Sequence, residues 1–99
     1  MRLSDEQKQS IRRIVSDVAG TGARVRVFGS RVRDHAAGGD LDLLVELPEA
    51  IETPAELAAR LSALVSRSLH GRKVDVLLLA PNLRRLPIHE VALREGKML

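Results

Sequence analysis

Ninety-nine residues predict one small domain over 1–99, with no length left for a separate template-gripping or lid domain. At 44% hydrophobic and 29% charged the chain is not compositionally disordered, it has no apolar run near the ~20 residues of a membrane helix, and without cysteine it excludes disulfide scaffolds, thiol catalysis and cysteine-ligated zinc. A net charge of +3 favours acidic partners such as nucleotide phosphates, nucleic acid or acidic protein, while Phe28 as the sole aromatic disfavours a base-stacking single-strand binder.

The opening residues, MRLSDEQKQS, lack the apolar stretch of a signal peptide and predict a cytoplasmic protein. Ser4 and Gln7 have the spacing of a capping box. Ile11, Ile14, Val15 and Val18 then recur at i, i+3, i+4 and i+7, predicting a helix that Gly20-Thr21-Gly22 ends. Arg24 to Phe28 alternates, with Val25 and Val27 on one face, and reads as a strand. Gly29-Ser30 is a tight turn, Arg31 to Gly39 a polar connection, and Asp40 to Leu47 a second strand closed by Pro48. Thr53-Pro54-Ala55-Glu56 announces a second helix by a threonine cap and proline at the first helical position. Its core side is expected to carry Leu57, Leu61, Leu64 and Val65, and His70-Gly71 ends it. Lys73 to Leu79 is the most apolar strand and is expected at the centre of the sheet. A short helix over about Pro87–Glu95, with Ile88 and Val91 turned to the core, stops at Gly96. The order α-β-β-α-β-α predicts an α+β fold, helices packed on a small mixed sheet.

Three acidic residues stand where a purely structural chain would rarely place them. Side chains alternate along a strand, so Asp40 and Asp42 share a face, about 7 Å apart, while Leu41, Leu43 and Val45 take the other. Adjacent carboxylates repel unless a cation lies between them, and Mg²⁺ is commonly held by one or two carboxylates plus substrate phosphates. Asp75 interrupts the apolar run Val74, Val76, Leu77, Leu78, Leu79. Beside the second strand it would complete a cluster able to hold two cations ~3.5–4 Å apart, the hardware of in-line phosphoryl displacement. An Asp-x-Asp pair is also what a solvated strand face carries, and Asp75 is also what an edge residue, or a partner for Arg26, would be. Gly29-Ser30, directly after the first strand, adds backbone N–H groups and a hydroxyl suited to phosphate oxygens.

Val27-Phe28-Gly29-Ser30, nine residues, Asp40-Leu41-Asp42-Leu43 and later Lys73-Val74-Asp75-Val76 resemble the nucleotidyltransferase superfamily that includes DNA polymerase β. The similarity is to its minimal nucleotidyltransferase branch, extends to the Gly-Ser-Arg-x-Arg opening of the spacer and covers nearly the whole chain. The resemblance implies a polymerase-β-like palm. It implies that Gly29 and Ser30 bind the β- and γ-phosphates of ATP, with Arg31 and Arg33 reaching the triphosphate. Asp40, Asp42 and Asp75 would hold two Mg²⁺ ions, with Asp75 helping to deprotonate the attacking hydroxyl. It further implies transfer of AMP to a side-chain hydroxyl, that of a tyrosine, on a helical HEPN-domain toxin, the chain acting as its antitoxin.

Two other functions compete. A contact-only antitoxin would neutralise its partner with a vestigial nucleotide site. A basic nucleic-acid-binding domain would bind with steep salt dependence and ignore the aspartates, and scattered arginines make nucleic acid a poor direct substrate. His35, His70 and His89 lack metal-ligand spacing. Arg84-Arg85 reads as a solvated step. Leu83, Leu86, Ile88, Val91, Met98 and Leu99 form an apolar tail that either finishes the core or meets a partner, a second copy included.

Overall fold

The computed structural model describes residues 3–29 and 41–99. Helix α1 (Asp5–Ala19) opens on the capping box: the Gln7 N–H donates to Ser4 Oγ at 3.1 Å, and the Ser4 N–H to Gln7 Oε1 at 2.8 Å. Two otherwise orphaned donors are thereby satisfied. Its stripe buries Ile11 and Val15 and half-buries Ile14 and Val18. Strand β1 (Arg24–Phe28) is followed by β2 (Leu41–Glu46), α2 (Pro54–Ser68), β3 (Val74–Leu79), α3 (Pro87–Glu95) and a two-residue β4 (Lys97–Met98). Proline does open α2, but the Thr53 side chain makes no capping hydrogen bond; its carbonyl instead accepts from the Leu57 N–H. At the other end of α2, His70 and Gly71 both take positive φ, and the Gly71 N–H returns to the Ser66 carbonyl at 2.8 Å.

The sheet runs β3-β2-β1-β4. β1 pairs antiparallel with β2 and β4, and β2 pairs parallel with β3, so the sheet is mixed. The α+β class and the element order α-β-β-α-β-α therefore stand, with β4 added after α3. The position of β3 departs from expectation: it lies at an edge, and β2 is the more buried strand. Apolarity misleads here because α2 covers one face of β3, burying Val74 and Leu78, while Leu77 and Leu79 on the other face only border the cluster of Phe28, Leu44 and Ala92. Its outer backbone edge is blunted as well, since the Val74 carbonyl accepts from Ser62 Oγ in α2 and the Leu78 carbonyl meets His89 in α3.

Two apolar clusters hold the layers together. On one face Val25, Val27, Leu41, Leu43, Val45, Val74 and Leu78 pack with Ile11 and Val15 of α1 and Leu61 and Val65 of α2. On the other, Phe28 and Leu44 pack with Ala92 of α3, bordered by Leu77, Leu79 and Leu93. Helix α3 thus has the bounds predicted for it but a different rotation. It buries His89 and Ala92, and leaves Ile88 44% exposed. Alanine allows the close approach over Phe28 and Leu44. Gly96 continues it: a side chain there would strike the Ala92 carbonyl and stand 3.2 Å from the Val27 carbonyl. The helix thereby presents Ile88 and Val91 to the cleft described next.

Candidate active site

Strand directions bring three distant segments to one end of the sheet. β1 ends where β2 begins because the two are antiparallel, and β3 begins beside β2 because those two are parallel. Phe28 stands opposite Asp42 in the first pair, and Asp42 opposite Asp75 in the second. In-register neighbours on adjacent strands share a face, with backbones about 4.8 Å apart. The two carboxylates therefore stand side by side, Asp42 half-buried and Asp75 exposed. The exposure of Asp75 follows from the edge position of β3 and spares its charge the desolvation expected in an apolar strand. Arg26 is not its counter-ion: that guanidinium pairs with Glu46 farther along the same face.

Gly29 completes the corner. Its φ is +72°, and a Cβ built on it would lie 2.6 Å from Asp42 Oδ2. Both facts demand glycine, one through the backbone and one through the space kept for the carboxylate. Gly29→Ala is expected to displace the Asp42 side chain while lowering stability by about 1–2 kcal/mol for the non-glycine positive φ. The NMR shifts of the Asp42 side chain and a far-ultraviolet melt measure the two effects separately.

A cleft of about 380 Å³ opens over this corner, bounded by Phe28, Gly29, Asp42 and Asp75 on the sheet side and by Ile88 and Val91 of α3. It has an acidic floor and an apolar wall. Ile88 and Val91 were expected in the core, and their place on the wall is the part of the site that sequence reasoning misses. Ile88/Val91 and His89/Ala92 are equally good i, i+3 pairs, and apolarity alone favours the first. The usable signal was small size at Ala92 and Gly96, which marks the side of a helix that approaches a sheet.

Of the residues predicted to act together, Gly29, Asp42 and Asp75 do converge. Ser30, Arg31, Arg33, His35 and Asp40 lie outside the described residues. Among the described residues no cluster of three or more metal-ligating side chains forms. The remaining histidines stand apart from the carboxylates: His70 is exposed beyond the end of α2, and His89 is buried against Leu78 and Leu86. Arg85 pairs with Glu90 at 2.6 Å on the exposed side of α3, and Arg84 is exposed, in keeping with a solvated step. No helix among the described residues is long and apolar enough to cross a membrane.

No curated protein matches the chain. The family model described as a nucleotidyltransferase domain matches residues 8–97, a span that takes in Gly29, Asp42 and Asp75 and runs from α1 into β4. The mixed sheet, the strand order around the carboxylate pair and that match agree, and the chain belongs to the nucleotidyltransferase domain family.

Proposed function

We propose that this nucleotidyltransferase moves AMP from ATP to a hydroxyl on a partner protein, with Mg²⁺ at the carboxylates. The observation that carries the reading is the register of Asp42 against Asp75, next to a glycine that leaves room for the Asp42 oxygen. The donor set fits the ion: carboxylate oxygens on neighbouring strands are hard ligands, and paired negative charge is relieved by a cation. Mg²⁺ held there would supply neutralisation of the phosphate charge. Asp40 and Asp42 would hold it, Asp75 would hold it and take the acceptor proton, and Gly29 and Ser30 would receive the β- and γ-phosphates. Arg31 and Arg33 would reach the same triphosphate.

The reaction balances simply. The acceptor oxygen forms a bond to the α-phosphorus as the bond to the bridging oxygen breaks. Pyrophosphate leaves with that electron pair, and the hydroxyl proton passes to the carboxylate. Such chemistry asks the protein mainly for positioning and charge stabilisation, which a small site can supply. The partner class is the helical HEPN-type toxin that the resemblance implies, with this chain as antitoxin.

Calorimetric titration of ATP with Mg²⁺, and again with EDTA, tests the reading. Expected is one-site binding that EDTA removes. Binding indifferent to EDTA would overturn the metal assignment, and no binding in either titration would favour neutralisation by contact alone. Steep salt-dependent binding to RNA with no response to Asp42→Asn would instead favour the nucleic-acid reading.

A further inference from the structure

The helix that walls the cleft has few anchors, since only His89 and Ala92 of α3 are buried. The His89 ring is the more unusual of the two. It is 3% exposed, and both of its nitrogens meet backbone groups, one at the start of α3 itself and one in β3. Nδ1 accepts the Leu86 N–H at 2.9 Å, and Nε2 lies 2.9 Å from the Leu78 carbonyl oxygen. A backbone N–H can only donate, so Nδ1 presents its lone pair, and Nε2 carries the proton and donates it to Leu78. One ring thus caps the start of α3 and fastens it to the outer edge of β3, the strand that carries Asp75. Ile88 precedes this residue in the chain, Val91 follows two positions later, and both line the cleft.

We infer that His89 is a positioning residue of the cleft: it locks the first turn of α3 to β3 and so sets where Ile88 and Val91 stand over Asp42 and Asp75. Its consequence for nucleotide binding rests on the function proposed above; the tie itself does not. Neither hydrogen bond touches the carboxylates, so their affinity for a bare cation is independent of His89. The fit of a whole nucleotide beneath α3 is not.

His89→Leu fills the site with an apolar side chain and removes both hydrogen bonds, whereas His89→Gln offers one acceptor and one donor in their place. In His89→Leu, hydrogen exchange at the amides of Val91, Ala92 and Leu93 is expected to quicken about tenfold with β2 unchanged, the pattern of local opening. Mg·ATP affinity is expected to fall about tenfold, the low end for groups that act through a neighbour. Mn²⁺ alone, followed by electron paramagnetic resonance, should bind within about twofold of wild type, and His89→Gln should regain most of the Mg·ATP affinity. Unchanged exchange would overturn the tie. Faster exchange with unaltered Mg·ATP affinity, or a parallel loss of Mn²⁺ binding and β2 protection, would overturn the positioning role. If wild type fails to bind Mg·ATP, the nucleotide reading falls by itself. Positioning is then decided by nuclear Overhauser contacts from Ile88 and Val91 to Leu77, which must weaken in His89→Leu.

Discussion

Replacing Asp42 by asparagine is expected to cost nucleotidyl transfer about 10²–10³-fold, or roughly 2.7–4 kcal/mol, the scale on which a single charge-stabilising group acts in an active site. Stability should move the other way at Asp75. Asp42 and Asp75 are in register on parallel strands, and like charges directly opposite destabilise a sheet by a few tenths to ~1 kcal/mol. Removing the exposed Asp75 charge relieves that repulsion, so Asp75→Asn should melt at or slightly above the wild-type temperature while losing the Mg·ATP binding proposed above. Asp17→Asn, on the exposed side of α1, should alter neither property. The opposed signs are diagnostic. A carboxylate kept for folding would lose stability when neutralised, and its loss of activity would follow from unfolding. Parallel melts and titrations on the same samples separate the two cases. A lowered melting temperature with retained Mg·ATP affinity would remove Asp75 from the site.

The convergence behind that prediction was legible in the sequence to an uneven degree. Asp40-x-Asp42 and the alternation around it place the carboxylates on one face without any knowledge of neighbours, because a strand has period two. That Asp75 stands opposite Asp42, and not one residue off, depends on register, which is set by how Leu41, Leu43 and Val45 meet Val74, Val76 and Leu78 across the sheet. The family resemblance supplied that pairing where local pattern could not. Helix ends were the easiest feature: Ser4, Pro54, Pro87 and Gly96 mark chain chemistry that acts within a few residues. Strand order was the hardest. β3 looked central because it is apolar, yet a strand at an edge can be as apolar when α2 covers one of its faces and side chains of α2 and α3 hydrogen-bond to its outer carbonyls. The rotation of α3 was lost for a related reason. A buried histidine that satisfies two backbone groups costs little, and no apolar count anticipates it. β4 is too short for any periodicity to register.

Leu43 and Leu44, adjacent on the central strand, offer the sharpest test of how the two faces divide the work. Both are completely buried, but they point to opposite layers. Leu43→Ala opens a hole among side chains contributed by α1, α2 and three strands. Two helices that also pack on each other cannot both settle into it, so the cost should lie toward the top of the ~2–5 kcal/mol range for buried leucines. A domain of this size has only about 5–15 kcal/mol in hand. Leu44→Ala opens a hole beneath a single nine-residue helix whose buried contacts there are those of Ala92. That helix can sink, so the cost should lie nearer ~2 kcal/mol. The order should reverse for binding. Filling the Leu44 hole shifts Ile88 and Val91 against the carboxylates, so Leu44→Ala should weaken Mg·ATP several-fold at a temperature where it is fully folded. Leu43→Ala, held well below its lowered melting point, should bind as wild type does. Since ~1 kcal/mol moves the melting point of a domain this small by about 4–8 °C, far-ultraviolet melts resolve the stability order and titrations the affinity order. Equal losses of affinity in both variants would mean that α3 does not act as a separate wall and that the sheet responds as one body.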